Sequence, residues 1–258
     1  MQRFAILGIV LLAAAMSPAG AADKGTVVVV GGGQSGQPLA RILVEQGYDV
    51  RVMTRNPAKA SGLPAEAKVV AGDATRPETL GAAFKGADYV IATIGSACER
   101  DKPFPEGAGP EDVDYLGIQK LAQASKAAGV RQFVLLSSIG AGNNDPKAPL
   151  NAMCGMVLEW KGKGEDALRS SGVPYTIVRP GGLKPFPGQP ACREGVEPLS
   201  LNARDSIQGG VVCRADVALV MAGALGNTNA LGKTVELKAD KALAVDAWRS
   251  AWAGLPKD

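Results

Sequence analysis

Apolar residues in this chain fall into short continuous runs, and amphipathic stretches separate the runs from residue 27 onward. The runs at residues 27–30 (VVVV), 49–54 (DVRVMT), 68–71 (KVVA), 89–94 (YVIATI), 132–137 (QFVLLS), 175–179 (YTIVR) and 234–238 (TVELK) predict β-strands. A run such as FVLL, apolar at every position, suits a parallel strand covered on both faces, because neither face meets water. Helices are predicted between the strands, over residues 35–46, 77–84, 113–128, 151–171, 215–225 and 245–252. In residues 113–128 the apolar Leu116, Leu121 and Ala124 share one side, and residues 151–171 are softened by Gly155, Gly162 and Gly164. Strand–helix alternation of this kind predicts a single α/β domain built on a doubly wound parallel sheet of Rossmann type.

Two stretches, residues 96–112 and 183–209, break the rhythm. Irregular segments of that length in a compact domain are usually lids or binding loops, or else disordered. Both leave the carboxyl ends of predicted strands, where ligands bind in this architecture. They are expected to wall a pocket for a small-molecule substrate.

The N-terminus follows another logic. Arg3 precedes a 13-residue apolar run over residues 4–16, and the small residues Ala19 and Ala21 follow in SPAGAADKG. This pattern predicts a secretory signal peptide over residues 1–21, leaving a domain over 22–258 and an exported, periplasmic location. The run is short for a membrane span.

The chain of 258 residues carries a net charge of +3 with no aromatic-interleaved basic run, so nucleic acid is not an expected partner. It has no histidine, which excludes His-based triads, His metal sites and His general bases. No cysteine pair has zinc-site spacing, and no metal is expected. Cys98, Cys154, Cys192 and Cys213 allow one or two disulfides in an oxidising compartment, with three full pairings open, or four thiols.

The chemistry concentrates in TVVVVGGGQSGQPLARILVEQGYDVRVMTRNPAK, residues 26–59. Gly31, Gly33 and Gly36 have the Gly-x-Gly-x-x-Gly spacing after a strand and before a helix, the dinucleotide-binding context. Gly31 allows the turn, Gly33 lets backbone approach a pyrophosphate, and Gly36 lets helix pack on strand. With Gln34 and Ser35 the three glycines form the predicted phosphate cradle at a helix N-terminus. An NAD site usually ends its second strand in Asp or Glu. Here that strand ends Met53-Thr54-Arg55. A guanidinium pairs a 2′-phosphate in a fork, so NADP(H) is the expected cofactor.

The chain resembles the atypical, NmrA-like branch of the short-chain dehydrogenase/reductase superfamily over nearly all of residues 25–240. The resemblance rests on the glycine turn, Arg55, Gly72-Asp73, VDYLGIQKLAQASKAAGVRQFVLLSSIGAG, WKGKGEDALRSSGVPYTIVRPGGL and RADVALVMAGAL. It implies NADP(H) laid across the strand ends, with Asp73 near the adenine and Pro180, in the Arg179-Pro180-Gly181 turn, beside the nicotinamide. Many relatives space the turn one residue longer. Catalytic relatives carry Tyr-x-x-x-Lys with a Glu four residues on. Lys161 and Glu165 have that offset, which makes Lys161 the family lysine, a binder of the nicotinamide ribose, and puts Val157 at the tyrosine position. Ser138 matches the serine that polarises a substrate oxygen, and Tyr115 is expected to pack rather than to donate a proton. Ser138 and Lys161 are thus the candidate catalytic pair.

Valine cannot transfer a proton, so alcohol–ketone chemistry and sugar-nucleotide epimerisation are disfavoured. The expected activity is an NADPH-dependent oxidoreductase passing hydride to a conjugated acceptor of the flavin, quinone or enone class. The alternative is a non-catalytic NAD(P)-binding sensor or assembly protein. Export and NADPH supply point to different compartments.

Overall fold

The structure, a computed structural model, describes residues 24–99, 102–185, 192, 195 and 197–258. The expected signal segment, residues 1–21, lies outside the described residues.

The elements run β1 (Thr26–Val30), α1 (Gly36–Glu45), β2 (Asp49–Thr54), β3 (Lys68–Ala71), α2 (Leu80–Phe84), β4 (Tyr89–Ala92), α3 (Ile118–Ala127), β5 (Gln132–Leu136), α4 (Pro149–Met153), α5 (Val157–Ser170), β6 (Tyr175–Pro180), β7 (Gly182–Lys184), β8 (Leu199–Ala203), β9 (Val211–Cys213), α6 (Arg214–Ala224), β10 (Lys233–Ala239) and α7 (Ala247–Ala251). Eight strands form the main sheet in the order β3-β2-β1-β4-β5-β6-β10-β8. All neighbours in it are parallel except β10 and β8, which pair antiparallel. The order steps outward one way from β1 to β3 and the other way from β4, so the connections switch sides of the sheet between β1 and β4.

Both faces are covered, which accounts for the unbroken apolar runs. Val27 and Val29 join a core with Leu39, Leu43, Val217 and Met221 from α1 and α6. Val28 and Val30 join a second core with Phe84, Leu121 and Leu168 from α2, α3 and α5. Burying a strand's two faces in two cores fixes its register, because a one-residue slip would exchange them. The register aligns Val30 with Met53 and with Ala92, so β1, β2 and β4 end at one level.

The structure departs from the sequence expectations in three places. The helix expected over 113–128 begins with a π-helical segment, Glu111–Gly117, before α3. The helical region expected over 151–171 is split, because Gly155 and Met156 both take left-handed backbone (φ +60° and +62°) between α4 and α5. The segment 183–209, expected to lack regular structure, contains β8 at the sheet edge and most of β7, which pairs with β9.

Candidate cofactor and reaction site

The glycine turn lies at the carboxyl end of β1 and enters α1. Gly31 has φ +107°, and a Cβ there would lie 2.9 Å from Thr93 Oγ1. Thr93 in turn donates its hydroxyl to the Val30 carbonyl at 3.1 Å, which ties the end of β4 to the turn. At Gly36 a Cβ would lie 1.8 Å from the Gly31 carbonyl oxygen, so the close packing of helix on strand requires glycine. Gly33 differs, since a Cβ there would meet no protein atom within 4 Å. The fold does not need a glycine at 33, but a ligand phosphate approaching the backbone would. Gln34 is exposed and Ser35 half-buried, and Ser35 is the helix N-cap without a side-chain capping bond. The first turn of α1 therefore has no carboxylate or hydroxyl cap of its own. This is the geometry that suits a dinucleotide pyrophosphate.

The other predicted cofactor residues sit on neighbouring strand ends. Arg55 follows β2 directly and is exposed. Asp73 follows β3, and its Oδ1 accepts from the Thr75 N–H and Thr75 Oγ1, each at 2.9 Å. That Asx-type turn holds the carboxylate at the rim beyond Gly72. Pro180 ends β6 and is buried; its carbonyl accepts from the Ile139 N–H at 3.0 Å. Ser138, just past β5, is half-buried and donates to the Ile139 carbonyl at 3.1 Å. The structure thus brings the glycine turn, Arg55, Asp73, Ser138 and Pro180 to one edge of the sheet.

Lys161 reaches that edge from α5. Its ammonium donates to Asp114 Oδ1 at 2.6 Å, with the lysine side chain 19% exposed and the aspartate 1%. Asp114 Oδ2 accepts the Ser96 N–H at 2.9 Å. Gly95 covers the pair, and a Cβ there would lie 3.2 Å from Asp114 Oδ1 and 3.5 Å from Lys161 Nζ. Asp114 is presented by the π-helical segment, a feature frequent at functional sites. A Cβ at Gly164 would lie 2.1 Å from the Asp114 carbonyl oxygen, so the close approach of α5 that lets Lys161 meet Asp114 depends on glycine there. Lys161 is therefore held by a carboxylate rather than loose in solvent. A void of about 10 Å³ beside it, lined by Ile94, Leu135 and Ser137 among others, is on the scale of a single water.

Val157 occupies the first turn of α5 and is packed with Cys154 and Leu158, with Cys98 against them. No phenol stands at this place. Tyr115 stacks on Trp160, ring centroids 6.1 Å apart.

Two disulfides brace the rim. Cys98–Cys154 ties the loop after β4 to the α4–α5 junction, and Cys192–Cys213 ties the loop after β7 to the end of β9. Of the three pairings open in the sequence, this one fastens each long loop to the framework beside it. Among the described residues, no cluster of three His, Cys, Asp or Glu side chains could hold a metal ion.

Behind Lys161, one turn along α5, Glu165 is fully buried. It accepts from Ser137 Oγ at 2.5 Å, from Arg179 Nε and Nη2 at 2.8 and 2.7 Å, and from Arg169 Nη2 at 2.8 Å. Burial alone would lower the Arg179 guanidinium. The hydrogen bonds and charge of Glu165, then of Asp205, raise it above its ordinary value. A cavity of about 400 Å³ opens beside this network, lined by charged groups including Lys163, Asp166, Arg204 and Asp205. It includes neither the glycine turn nor Lys161, and its cations and carboxylates are already paired with one another.

Residues 31–228 match the NAD(P)H-binding family. The chain belongs to that family. Membership accounts for the glycine turn and agrees with the atypical short-chain dehydrogenase/reductase resemblance. The chain is 34% identical over 221 residues to "Protein TIC 62, chloroplastic" of Pisum sativum, covering 78% of this chain but only 40% of the pea protein's length. It is 32% identical over 225 residues to sanguinarine reductase of Eschscholzia californica, covering 74% of this chain and 79% of that one. Among solved structures, the oxidoreductase YlbE from Lactococcus lactis superposes with a TM-score of 0.70 at 22% identity, covering 88% of this chain and 95% of that one. ChuY, an anaerobillin reductase from Escherichia coli O157:H7, gives 0.65 at 22% identity, covering 83% and 97%. These structural likenesses bear on the fold.

Sequence reasoning missed Asp114, Ser96 and Gly95 as parts of the lysine site. Asp114 lies in the VDYLG segment, but nothing in its spacing signals a partner 47 residues away.

Proposed function

We propose that this protein is an NADPH-dependent reductase that passes hydride to a planar conjugated acceptor of the flavin, quinone, enone or iminium class. The observation that carries this reading is the pairing of a braced lysine, Lys161 on Asp114, with a buried valine at the tyrosine position. Such a site can bind and orient a reduced nicotinamide. It lacks a side chain at position 157 to protonate an alkoxide, so an acceptor that delocalises charge and takes its proton from solvent fits best. When bound, the nicotinamide supplies the hydride. The chain's residues do the rest: the glycine turn and α1 hold the pyrophosphate, Lys161 holds the nicotinamide ribose, and Ser138 orients the carboxamide or acceptor oxygen. Proximity and orientation of two bound partners can supply much of a barrier reduction. Similarity to sanguinarine reductase and to an NAD(P)H azoreductase of Xenophilus azovorans supports a conjugated acceptor.

Arg55 and the absence of a carboxylate at the end of β2 support NADPH over NADH. The two disulfides support an oxidising compartment and hence export. The test is NADPH oxidation, followed at 340 nm, with flavin, quinone and iminium acceptors against an aliphatic ketone. Turnover with a conjugated acceptor and none with the ketone is expected. Tight NADPH binding with no oxidation by any of them rejects the reading. It would favour the second one, a non-catalytic dinucleotide-binding protein, which Val157 also supports.

A further inference from the structure

We infer that Glu165 is a positioning residue for the nicotinamide half of the site, acting through Ser137, Arg179 and its own helix. Three groups of the candidate site sit on three different elements. Lys161 is on α5, Ser138 follows β5 and Pro180 ends β6. Glu165 is part of α5, one turn from Lys161, and is hydrogen-bonded to the residue next to each of the other two groups. It lies four residues after Lys161 and so on the same side of α5. It takes the hydroxyl of Ser137, the immediate neighbour of Ser138, at 2.5 Å. It takes two guanidinium nitrogens of Arg179, the immediate neighbour of Pro180, at 2.8 and 2.7 Å.

The backbone closes the same unit. The Ser137 N–H donates to the Val178 carbonyl at 2.8 Å, and the Ile139 N–H to the Pro180 carbonyl at 3.0 Å. The carboxylate is fully buried and takes the bidentate geometry that is most restrictive of direction. On its far side Arg179 also donates to Asp205 at 2.6 Å and lies 3.7 Å from the buried Glu236, so carboxylates flank the guanidinium on more than one side. Among the described residues, no hydrogen bond or ion pair joins the adenine half of the site, at Gly31–Gly36, Arg55 and Asp73, to this network. A change at Glu165 or Ser137 should therefore act on one half of the dinucleotide.

This inference rests on the strand-end surface being the dinucleotide site. The experiment titrates wild type, Ser137→Ala and Glu165→Gln with NADPH and with adenosine 2′,5′-bisphosphate. In parallel the three proteins are titrated with NADH and with ADP. The two adenine fragments lack the nicotinamide ribose. Positioning predicts about tenfold weaker binding of the preferred dinucleotide in both variants, with its fragment bound as in wild type. Ser137→Ala removes one hydrogen bond and leaves both arginines on Glu165, so it keeps the test decisive if Glu165→Gln does not fold. Equal losses for dinucleotide and fragment, or no loss for either, overturn the inference and leave Glu165 a fold-stabilising ion pair. Wild type that binds no dinucleotide overturns the site reading as well, an outcome visible before any variant is compared.

Discussion

Lys161 donates a 2.6 Å hydrogen bond to Asp114, a carboxylate buried under Gly95 and also bonded to the Ser96 N–H. The pair joins α5 to the π-helical entry of α3 at the strand ends. It gives Lys161 a fixed place on a buried carboxylate from another element. Asp114→Ala should release Lys161 and leave the Ser96 N–H without its acceptor. Lys161 still touches solvent and can rehydrate, so the cost should be about 1–3 kcal/mol rather than that of a sealed ion pair. Urea denaturation reads it, and an unchanged midpoint would contradict the account.

Gly164 sets how closely α5 approaches Asp114. Gly164→Ala would put a methyl group 2.1 Å from the Asp114 carbonyl oxygen, and the obstacle is backbone, which cannot rotate away. The expected loss is about 1–3 kcal/mol or more, as for an overpacked core, despite the better helix propensity of alanine. A rise in melting temperature would show that the helices are not in this contact.

Gly33 makes the opposite prediction. Gly33→Val meets no protein atom within 4 Å of its Cβ, so the melting temperature should hold within a few degrees. Dinucleotide affinity should fall at least about tenfold, because the side chain occupies the phosphate approach. Calorimetric titration beside a thermal melt separates the two effects. Unchanged affinity would remove the glycine turn from the site.

Tyr175 provides a pH test of the region beyond Glu165. Its hydroxyl donates to Asp258 at 3.1 Å, and its pKa is pushed up to about 12 by burial first and then by the charge and hydrogen bond of Asp258. The folded state thus holds the phenol proton more tightly than the unfolded chain, whose tyrosines titrate near ~10. The stability it contributes is complete below ~10 and is lost as the pH rises through about 12. Denaturant midpoints at pH 9 and 11.5 should fall more for wild type than for Tyr175→Phe. Equal falls would refute the assignment.

Much of the framework was legible in the chain. Strands buried on both faces announce themselves as continuous apolar runs, and β1, β4 and β5 lie where those runs do. The edge strand β8, LSLNA, was hidden in an apparent loop because it mixes apolar with polar positions and borders the sheet on one side only. The π-helical entry to α3 was hidden too, since apolar spacing does not separate a π turn from an α turn. For the candidate site, Gly31, Gly33, Gly36 and Lys161 could be proposed from the chain because motifs with fixed spacing point to them. The partners of Asp114 and Glu165 were not readable, because those contacts are made across the fold. The disulfide pairing likewise depends on which loops the sheet brings together.

Reduction of those disulfides should loosen the rim. Cys98–Cys154 spans 56 residues and Cys192–Cys213 spans 21. Opening a loop of such size typically costs about 2–4 kcal/mol. A thermal melt with and without reductant should show a drop of several degrees, and mass analysis after alkylation should find no free thiol before reduction. Four alkylated cysteines in the untreated protein would contradict the pairing.

The measurement that bears most directly on the central claim is a single-turnover experiment. Protein saturated with NADPH is mixed rapidly with a quinone or flavin acceptor, and bound nicotinamide is followed at 340 nm. The account predicts one equivalent of NADPH oxidised by wild type, a much slower reaction for Lys161→Met, and no oxidation when an aliphatic ketone replaces the acceptor. Bound NADPH that stays reduced with every conjugated acceptor would contradict it and leave a dinucleotide-binding protein without hydride transfer.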